Sequence, residues 1–218
     1  MAEDLTCYRH VMIDSTYLCG RRPAVTVVME AVTNTVVAGV YDVHESAIRM
    51  AHFFTALAGR GLSPVSITTD GHPALLRYLR RQWPYAIRQR CLVHIQRQGL
   101  SWCRRRPVRP DAQQLRRLFA SVTALRTVSD RDYWIDQFLD WEQRHGWRID
   151  LTPEHGYLFS DLKRARSLIV RALPDMFHSL SAPAIAHTTN GIEGYFSRLK
   201  MRYRQHRGLS PKHRSSYI

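Results

Sequence analysis

The first 93 residues contain five short runs rich in β-branched and aromatic residues, and the order of these runs is the feature that most constrains the fold. The first three runs are separated only by turn residues, which predicts an antiparallel meander. Helical patterns then separate the third run from the fourth and the fourth from the fifth. The predicted strands cover residues 9–18, 24–32, 36–42, 64–69 and 85–93, and the predicted helices cover residues 44–60 and 73–82. This β-β-β-α-β-α-β order predicts an α/β fold with a five-stranded mixed sheet.

The rest of the chain is helical in character. A basic, proline-broken linker at residues 104–110 marks the change, and apolar residues then recur at helical spacing over residues 111–172. A further helix is predicted at residues 191–206. The sequence therefore predicts four segments: the first part of the core at residues 1–103, a helical insertion at 104–186, a helix that completes the core at 187–207 and a frayed tail at 208–218.

The charge of the chain indicates its class of partner. The 218 residues include 32 Lys and Arg against 18 Asp and Glu, for a net charge of +14, and 29 of the 32 bases are Arg. The planar guanidinium suits phosphate, so this excess favours nucleic acid over a membrane surface. A genomic bias towards Arg codons is an alternative that explains the ratio of Arg to Lys but not the net charge. No apolar stretch is long enough for a membrane helix, and the acidic start is not a signal peptide, so we expect a cytoplasmic, nucleoid-associated protein.

Three carboxylates are candidates for chemistry. Asp14 lies inside the first predicted strand, Asp70 ends the fourth in TTDGHP, and Glu193 opens the last helix. Each has an ordinary alternative: a strand-end Asp, an Asp-Gly turn, and a capping box with Asn190. Taken together, the three carboxylates indicate a single site. The first and fourth strands are the natural central neighbours in such a sheet, so Asp14 and Asp70 would lie side by side, and a later helix can add Glu193. Three such oxygen ligands suit Mg²⁺, and two ions suit phosphoryl transfer.

Two further patterns lie beside these carboxylates. Lys200 follows Glu193 by seven residues and shares its helical face within about 20°, with Ser197 between them, so this face suits a metal with a phosphate beside it. A solvated surface would look similar. Cys91 and His94, with Cys103, could supply three zinc ligands, although structural zinc sites usually show two ligand pairs. We expect no disulfide framework.

Five segments carry a resemblance to a known family, the Mutator-like group of DDE transposases and the related bacterial insertion-sequence transposases. The sequence resembles the catalytic domain of these enzymes. The segments are DSTYL at 14–18, TTDG at 68–71, CLVH at 91–94, TTNGIEGYFSRLK at 188–200 and RGLS at 207–210. The resemblance implies a ribonuclease H-like fold with an all-helical insertion before the glutamate helix.

The resemblance also implies a site and an activity. Asp14, Asp70 and Glu193 would be the catalytic residues and would bind two Mg²⁺ (or Mn²⁺) ions. Cys91 and His94 would form a paired motif near the active site, and Lys200 would contact DNA near the reacting phosphate. The activity would be DNA strand cleavage followed by attack of the freed 3′-OH on target DNA, so the partner would be double-stranded DNA, both transposon ends and target.

Other expectations concern the rest of the molecule. Arg104, Arg105 and Arg106 are expected to face DNA, with a solvated loop as the alternative. About a dozen residues precede Asp14, so we expect the chain to lack the DNA-binding region that usually precedes the first catalytic strand. The full-length form is expected to be a homo-oligomer. Two alternatives remain: an inactive or domesticated DNA-binding relative, and a ribonuclease H-like nuclease that cannot join strands.

Overall fold

The computed structural model describes residues 4–18, 24–41, 47–151 and 157–205, and these residues contain the five strands that the sequence predicts. They form one mixed sheet. The strands are β1 (His10–Tyr17), β2 (Ala24–Glu30), β3 (Val36–Tyr41), β4 (Ser66–Thr69) and β5 (Ile87–Arg90). The predicted tail, the RGLS segment and the first residues of the predicted helix at 44–60 lie outside the described residues.

The order of the strands across the sheet is β3-β2-β1-β4-β5. β1 and β2 pair antiparallel, as do β2 and β3, so the predicted meander is confirmed. β1 and β4 pair in parallel, and the last pair of this register joins Ile13 to Thr69. The antiparallel meander followed by a parallel crossover is the ribonuclease H-like arrangement that the sequence predicts.

The helices account for most of the remaining described residues. Two follow the meander, one completes the core, and the others lie between β5 and that last helix. They are α1 (Ala47–Gly59), α2 (Pro73–Gln82), α3 (Leu92–Trp102), α4 (Pro110–Ser121), α5 (Val128–Trp141), α6 (Trp147–Leu151), α7 (Tyr157–Ala172), α8 (His178–Ser181) and α9 (Asn190–Gln205). A π-helical turn joins α5 to α6. In the part of the chain that the structure describes, no helix has the length and hydrophobicity needed to cross a membrane.

The alternation of side chains along the strands gives the sheet two differently covered faces. Val11 and Ile13 of β1 point to the face on which α1 and α2 pack, through residues such as Phe54 and Leu79. Met12 points to the opposite face. That opposite face is covered by the apolar side of α9, which consists of Ile192, Phe196 and Leu199. Residues at even positions of β1 therefore lie on the α9 face.

The fifth strand is shorter than the sequence predicts. A strand was predicted over residues 85–93, but β5 ends at Arg90, and α3 begins at Leu92 with Cys91 at its N-cap position. This part of the prediction is wrong. A short apolar run such as Cys91–Val93 fits a buried strand and a buried helix equally well, and tertiary packing decides between them.

The chain divides into two compact units. One consists of residues 1–89 and 184–218 and contains most of the sheet; the other consists of residues 90–183 and is helical. The helical unit has its own core, in which Phe138 stacks on Trp134 and Trp141 with ring centroids 6.2 Å away in both cases. The sequence-based bounds of the insertion, 104–186, stay a prediction.

Candidate active site

The candidate active site is built on the parallel pair of strands at the centre of the sheet. Because Ile13 lies opposite Thr69, the next residues along the two strands, Asp14 and Asp70, occupy matching positions. Neighbouring strands lie about 4.8 Å apart, so the two backbones bring these aspartates side by side. Asp14 has the same parity as Met12 and therefore lies on the α9 face. The adjacency that the sequence predicts for the two strands is confirmed.

Asp14 is a buried carboxylate, with only 5% of its surface exposed. Its Oδ1 accepts the N–H of Ser15 at 2.8 Å, and its Oδ2 accepts the hydroxyl of Thr189 at 3.2 Å. An ionised carboxylate in such a place costs free energy unless hydrogen-bond donors or a cation compensate it. The two donors orient the carboxylate and supply part of this compensation.

Asp70 begins a tight turn directly after β4. Its Oδ1 accepts the backbone N–H of His72 at 2.9 Å and the hydroxyl of Thr69 at 3.2 Å. Gly71 between them has a φ of 81°, a conformation that glycine adopts at little cost. The Asp-Gly turn that the sequence offered as an alternative is therefore present. It is compatible with a functional role, because it holds the half-buried carboxylate at the end of the strand.

Two threonines attach the segment before α9 to the central strands. The hydroxyl of Thr68 in β4 donates to the carbonyl oxygen of Ala186 at 2.6 Å, and Thr189 donates to Asp14. Thr68 and Thr189 are both buried. Neither threonine is among the predicted site residues, although Thr68 belongs to the Thr-Thr pair before Asp70 and Thr189 to the Thr-Thr pair before α9. They hold the start of α9, and so the element that carries Glu193, against β1 and β4.

The first turn of α9 explains why glycine occupies position 191. A β-carbon there would overlap the side-chain oxygen of Asn34 and would lie 3.2 Å from the terminal methyl carbon of Met12. Gly194, in contrast, has ample room, since a β-carbon would meet only Arg198, at 3.7 Å. The close approach at Gly191 lets the helix start directly over β1.

The position of Glu193 argues against the capping box. That alternative requires Asn190 to precede the helix, but the structure places Asn190 inside α9, and the Glu193 N–H donates to the carbonyl of Thr189 at 3.1 Å. Ser197, which the sequence placed beside a phosphate, is exposed, and its hydroxyl donates to the carbonyl of Glu193 at 2.9 Å. Lys200 is half-buried one further turn along.

The described residues contain no group of three His, Cys, Asp or Glu side chains close enough to hold a metal ion. The structure thus brings Asp14 and Asp70 to neighbouring positions and places Glu193 half-buried in the first turn of the helix over β1. The available donors are carboxylate oxygens, the ligand type that hard divalent cations prefer.

The remaining predicted site residues belong to the helical unit. Cys91 and Cys103 are buried and His94 is half-buried in the first turn of α3. Burial raises the pKa of the Cys103 thiol to about 12, so this thiol stays protonated at neutral pH and is a poor zinc ligand. Arg104, Arg105 and Arg106 are all exposed. Arg104 lies two residues after the end of α3 with a φ of 60°, and its carbonyl oxygen accepts a hydrogen bond from the Arg116 guanidinium at 2.7 Å.

The order and directions of the strands are those of a ribonuclease H-like domain. Comparison with protein families gives the particular family: residues 4–167 match the family described as "Transposase, Mutator family". The match covers more than half of the 218 residues, so the chain belongs to this family of DNA-processing enzymes. It includes Asp14, Asp70, Cys91 and His94 and ends before Glu193. A search of curated proteins found no match.

Proposed function

We propose that the chain is the catalytic core of a DDE transposase, which cuts one DNA strand and joins the freed 3′-OH to target DNA with the help of Mg²⁺ or Mn²⁺. The observation that carries this proposal is the parallel register that sets Asp14 beside Asp70. Membership of the Mutator family supplies DNA as the substrate. The net charge of +14 suits the binding of a polyanion.

The two aspartates suit a divalent cation. Two carboxylates at neighbouring positions, one of them buried, repel one another and are poorly hydrated, and both costs fall when a cation binds between them. Bound there, the ions would supply charge stabilisation for the phosphoryl group and activation of the attacking hydroxyl. Thr189 and the His72 N–H keep the aspartates oriented. Glu193 would complete the ligand set from α9.

The basic residues of α9 would hold the DNA strand. Lys200 shares a helical face with Glu193, so it would bind the phosphate next to the one that reacts. Beside Lys200, the exposed hydroxyl of Ser197 would form a hydrogen bond with the DNA backbone. The substrates would be the ends of an insertion sequence and a target duplex in a prokaryotic nucleoid, with several copies of the full-length protein assembled on them.

The test is strand cleavage by purified protein. Labelled duplexes with the inverted repeats that flank the gene are incubated with Mg²⁺ or Mn²⁺, and products are resolved on denaturing gels. We expect Asp14→Asn, Asp70→Asn and Glu193→Gln each to lower cleavage at least about a hundredfold, because removal of one ligand charge weakens metal binding. The same variants should bind the duplex with unchanged affinity, since the basic surface is intact.

The control is Asp4→Asn, which alters an exposed carboxylate whose hydrogen bonds go only to Thr6. This variant should cut as the wild type does. Cleavage at the wild-type rate by any of the three site variants would refute the assignment. Joining of the labelled strand to a supercoiled plasmid separates a transposase from a simple nuclease, and binding without cleavage would indicate the inactive relative instead.

A further inference from the structure

The outer side of α2 carries a row of arginines, Arg77, Arg80 and Arg81, called here the α2 arginine stripe. All three are exposed, and their spacing of three and four residues places them along one side of the helix. The opposite side of α2 is buried through Leu75, Leu76 and Leu79. In the part of the chain that the structure describes, no carboxylate pairs with any arginine of the stripe.

The described segment that contains α1 and α2 has almost no acidic residues. Neither α1 nor α2 includes an Asp or a Glu, and over residues 47–89 a single acid, Asp70, stands against six arginines. The neighbouring helix α1, joined to α2 by the hydrogen bond from Thr55 to Gln82, adds exposed Arg49 and His52. In the helical unit, in contrast, exposed arginines lie beside carboxylates, such as Arg144 beside Asp140.

The stability of α2 does not account for the whole stripe. Arg80 and Arg81 lie in the last turn, where a cation interacts favourably with the helix dipole. Arg77, in the middle of the helix, gains no such benefit. An arginine with no acidic neighbour at that position contributes to solubility or to the binding of an anion.

The stripe lies away from the candidate active site. α1 and α2 pack on the sheet face of Val11 and Ile13, whereas Asp14 has the opposite parity and lies on the α9 face. The stripe and the aspartates are therefore on opposite sides of the sheet. A ligand on the stripe is a separate contact.

The chemistry of the stripe favours nucleic acid over a lipid surface. Helices that lie on membranes combine basic residues with exposed Trp, Phe or Leu, which insert among the acyl chains. The described side chains of α1 and α2 include no exposed large hydrophobic residue. Guanidinium groups without apolar anchors instead fit a row of phosphates.

We propose that the α2 arginine stripe binds the phosphate backbone of duplex DNA, as a second DNA contact on the side of the sheet opposite the candidate active site. This inference rests on the proposed function only in taking DNA as the substrate. Phosphate contacts carry no sequence information, so the stripe would hold a duplex of any sequence. It would suit the target or flanking DNA rather than the specific ends.

The test compares two triple variants of equal charge. Arg77→Gln, Arg80→Gln and Arg81→Gln are combined in one protein. The matched control combines Arg126→Gln, Arg131→Gln and Arg144→Gln. Arg131 and Arg144 form ion pairs with Asp132 and Asp140, and the Arg126 guanidinium donates to the carbonyl oxygens of Thr123 and Leu125. Binding of a random-sequence duplex is measured by fluorescence anisotropy at several KCl concentrations, with EDTA present so that no cleavage occurs.

We expect the stripe variant to bind at least about tenfold more weakly at 0.1 M salt, and its slope of log affinity against log salt to fall by about 2.7, or 0.9 for each lost phosphate contact. The control should keep the wild-type slope. A combined Arg77→Lys, Arg80→Lys, Arg81→Lys variant should keep it too, because it retains the charge. For the single variant Arg77→Gln, the slope of log affinity against log salt should fall by about 0.9. This variant replaces the triple variant in the test if the triple variant does not fold.

Equal slopes and affinities for the stripe variant and the control would overturn the inference while leaving the proposed function intact. The proposed function fails separately if the variants of Asp14 and Asp70 cut normally, whereas a wild-type protein that does not bind duplex DNA would overturn both proposals. Thermal unfolding of each variant confirms that the folds are comparable. A slope that falls in both triple variants equally would mean that only total charge matters, and this result also overturns the inference.

Discussion

At the scale of single residues, the candidate active site depends on a few short-range contacts that hold α9 over β1. Thr189 links the segment before the helix to Asp14, and Thr68 links it to β4. Gly191 removes the steric obstacle to this approach. These contacts fix the position of the first turn of α9, which carries Glu193, relative to the two aspartates. A substitution at Gly191 therefore tests the geometry of the site.

Gly191→Ala is expected to destabilise the protein by about 1 kcal/mol, the low end of the usual cost of overpacking, because the new methyl group displaces the exposed side chain of Asn34 and presses on Met12. Urea unfolding measures the difference. Gly194→Ala is the matched control, and it should be neutral or stabilising by up to about 1 kcal/mol, since alanine is the better helix former and meets no close neighbour.

A second substitution distinguishes overlap from a general effect on the helix. Asn34 has a φ of 57°, which glycine adopts readily, so Asn34→Gly removes the obstructing side chain without backbone strain. The double variant Gly191→Ala, Asn34→Gly should recover most of the lost stability. If the two substitutions are simply additive, the contact is not the cause.

At the scale of elements, the sequence predicts correctly those strands and helices that have a clear local signal, such as helical spacing of apolar residues or a proline in the first turn. α2 was predicted over residues 73–82 and forms over Pro73–Gln82, because proline suits a first turn and the leucines recur at helical spacing. α3 was missed, since its interior Gly99 lowers helix propensity. That glycine is needed because a β-carbon there would overlap the ring of Phe119 in α4, a contact that no local pattern contains.

The site could be predicted to a similar extent. Residue periodicity gives the order of strands and helices along the chain. From that order the first and fourth strands are expected to be neighbours, which places Asp14 beside Asp70. The hydrogen bonds of Thr68 and Thr189 join residues 118 and 175 positions apart, respectively, so they could not be inferred from spacing. In the helical unit, Trp134 and Trp141 are buried, whereas Trp147, which follows the π-helical turn, is 58% exposed.

The start of α4 gives a prediction about pH. Arg109 forms a bidentate pair with Asp111, at 3.1 Å from Nε to Oδ1 and 2.6 Å from Nη2 to Oδ2. Burial alone would raise the pKa of Asp111, but the hydrogen bonds from Arg109 and from the Ala112 N–H outweigh it and hold this pKa below its usual value. The pair therefore stabilises the fold above about pH 3.8, and this contribution disappears as the pH falls through the lowered pKa.

Asp111→Asn should accordingly be less stable than the wild type at neutral pH, and the difference should shrink below about pH 4. Chemical denaturation of both proteins from pH 3 to pH 7 measures it. Asp132→Asn, at an exposed carboxylate that also pairs with an arginine, is the control and should change stability little at any pH. A difference between Asp111→Asn and the wild type that is independent of pH would contradict the assignment of the pair.

At the scale of the whole molecule, the positive charge is unevenly compensated. The segment at residues 47–89 has one acid for six arginines, while the helical unit at 90–183 has ten acids for its sixteen Lys and Arg. Net charge alone therefore says little about where a polyanion binds. Asp14 and Asp70 lie in the other unit, residues 1–89 and 184–218, which has eight acids for its sixteen Lys and Arg.

Binding of a cation by the native state alone links metal to the stability of the folded protein. If Mg²⁺ or Mn²⁺ binds at Asp14 and Asp70, the free energy of unfolding should rise by about 2.7 kcal/mol at a metal concentration one hundred times the Kd. The thermal unfolding midpoint should then increase with the logarithm of metal concentration, in the absence of DNA and at constant ionic strength. Asp14→Asn and Asp70→Asn should lose this dependence, because each removes one of the two neighbouring charges. Asp4→Asn should keep it, and a wild-type midpoint that does not respond to either metal would contradict binding at the two aspartates.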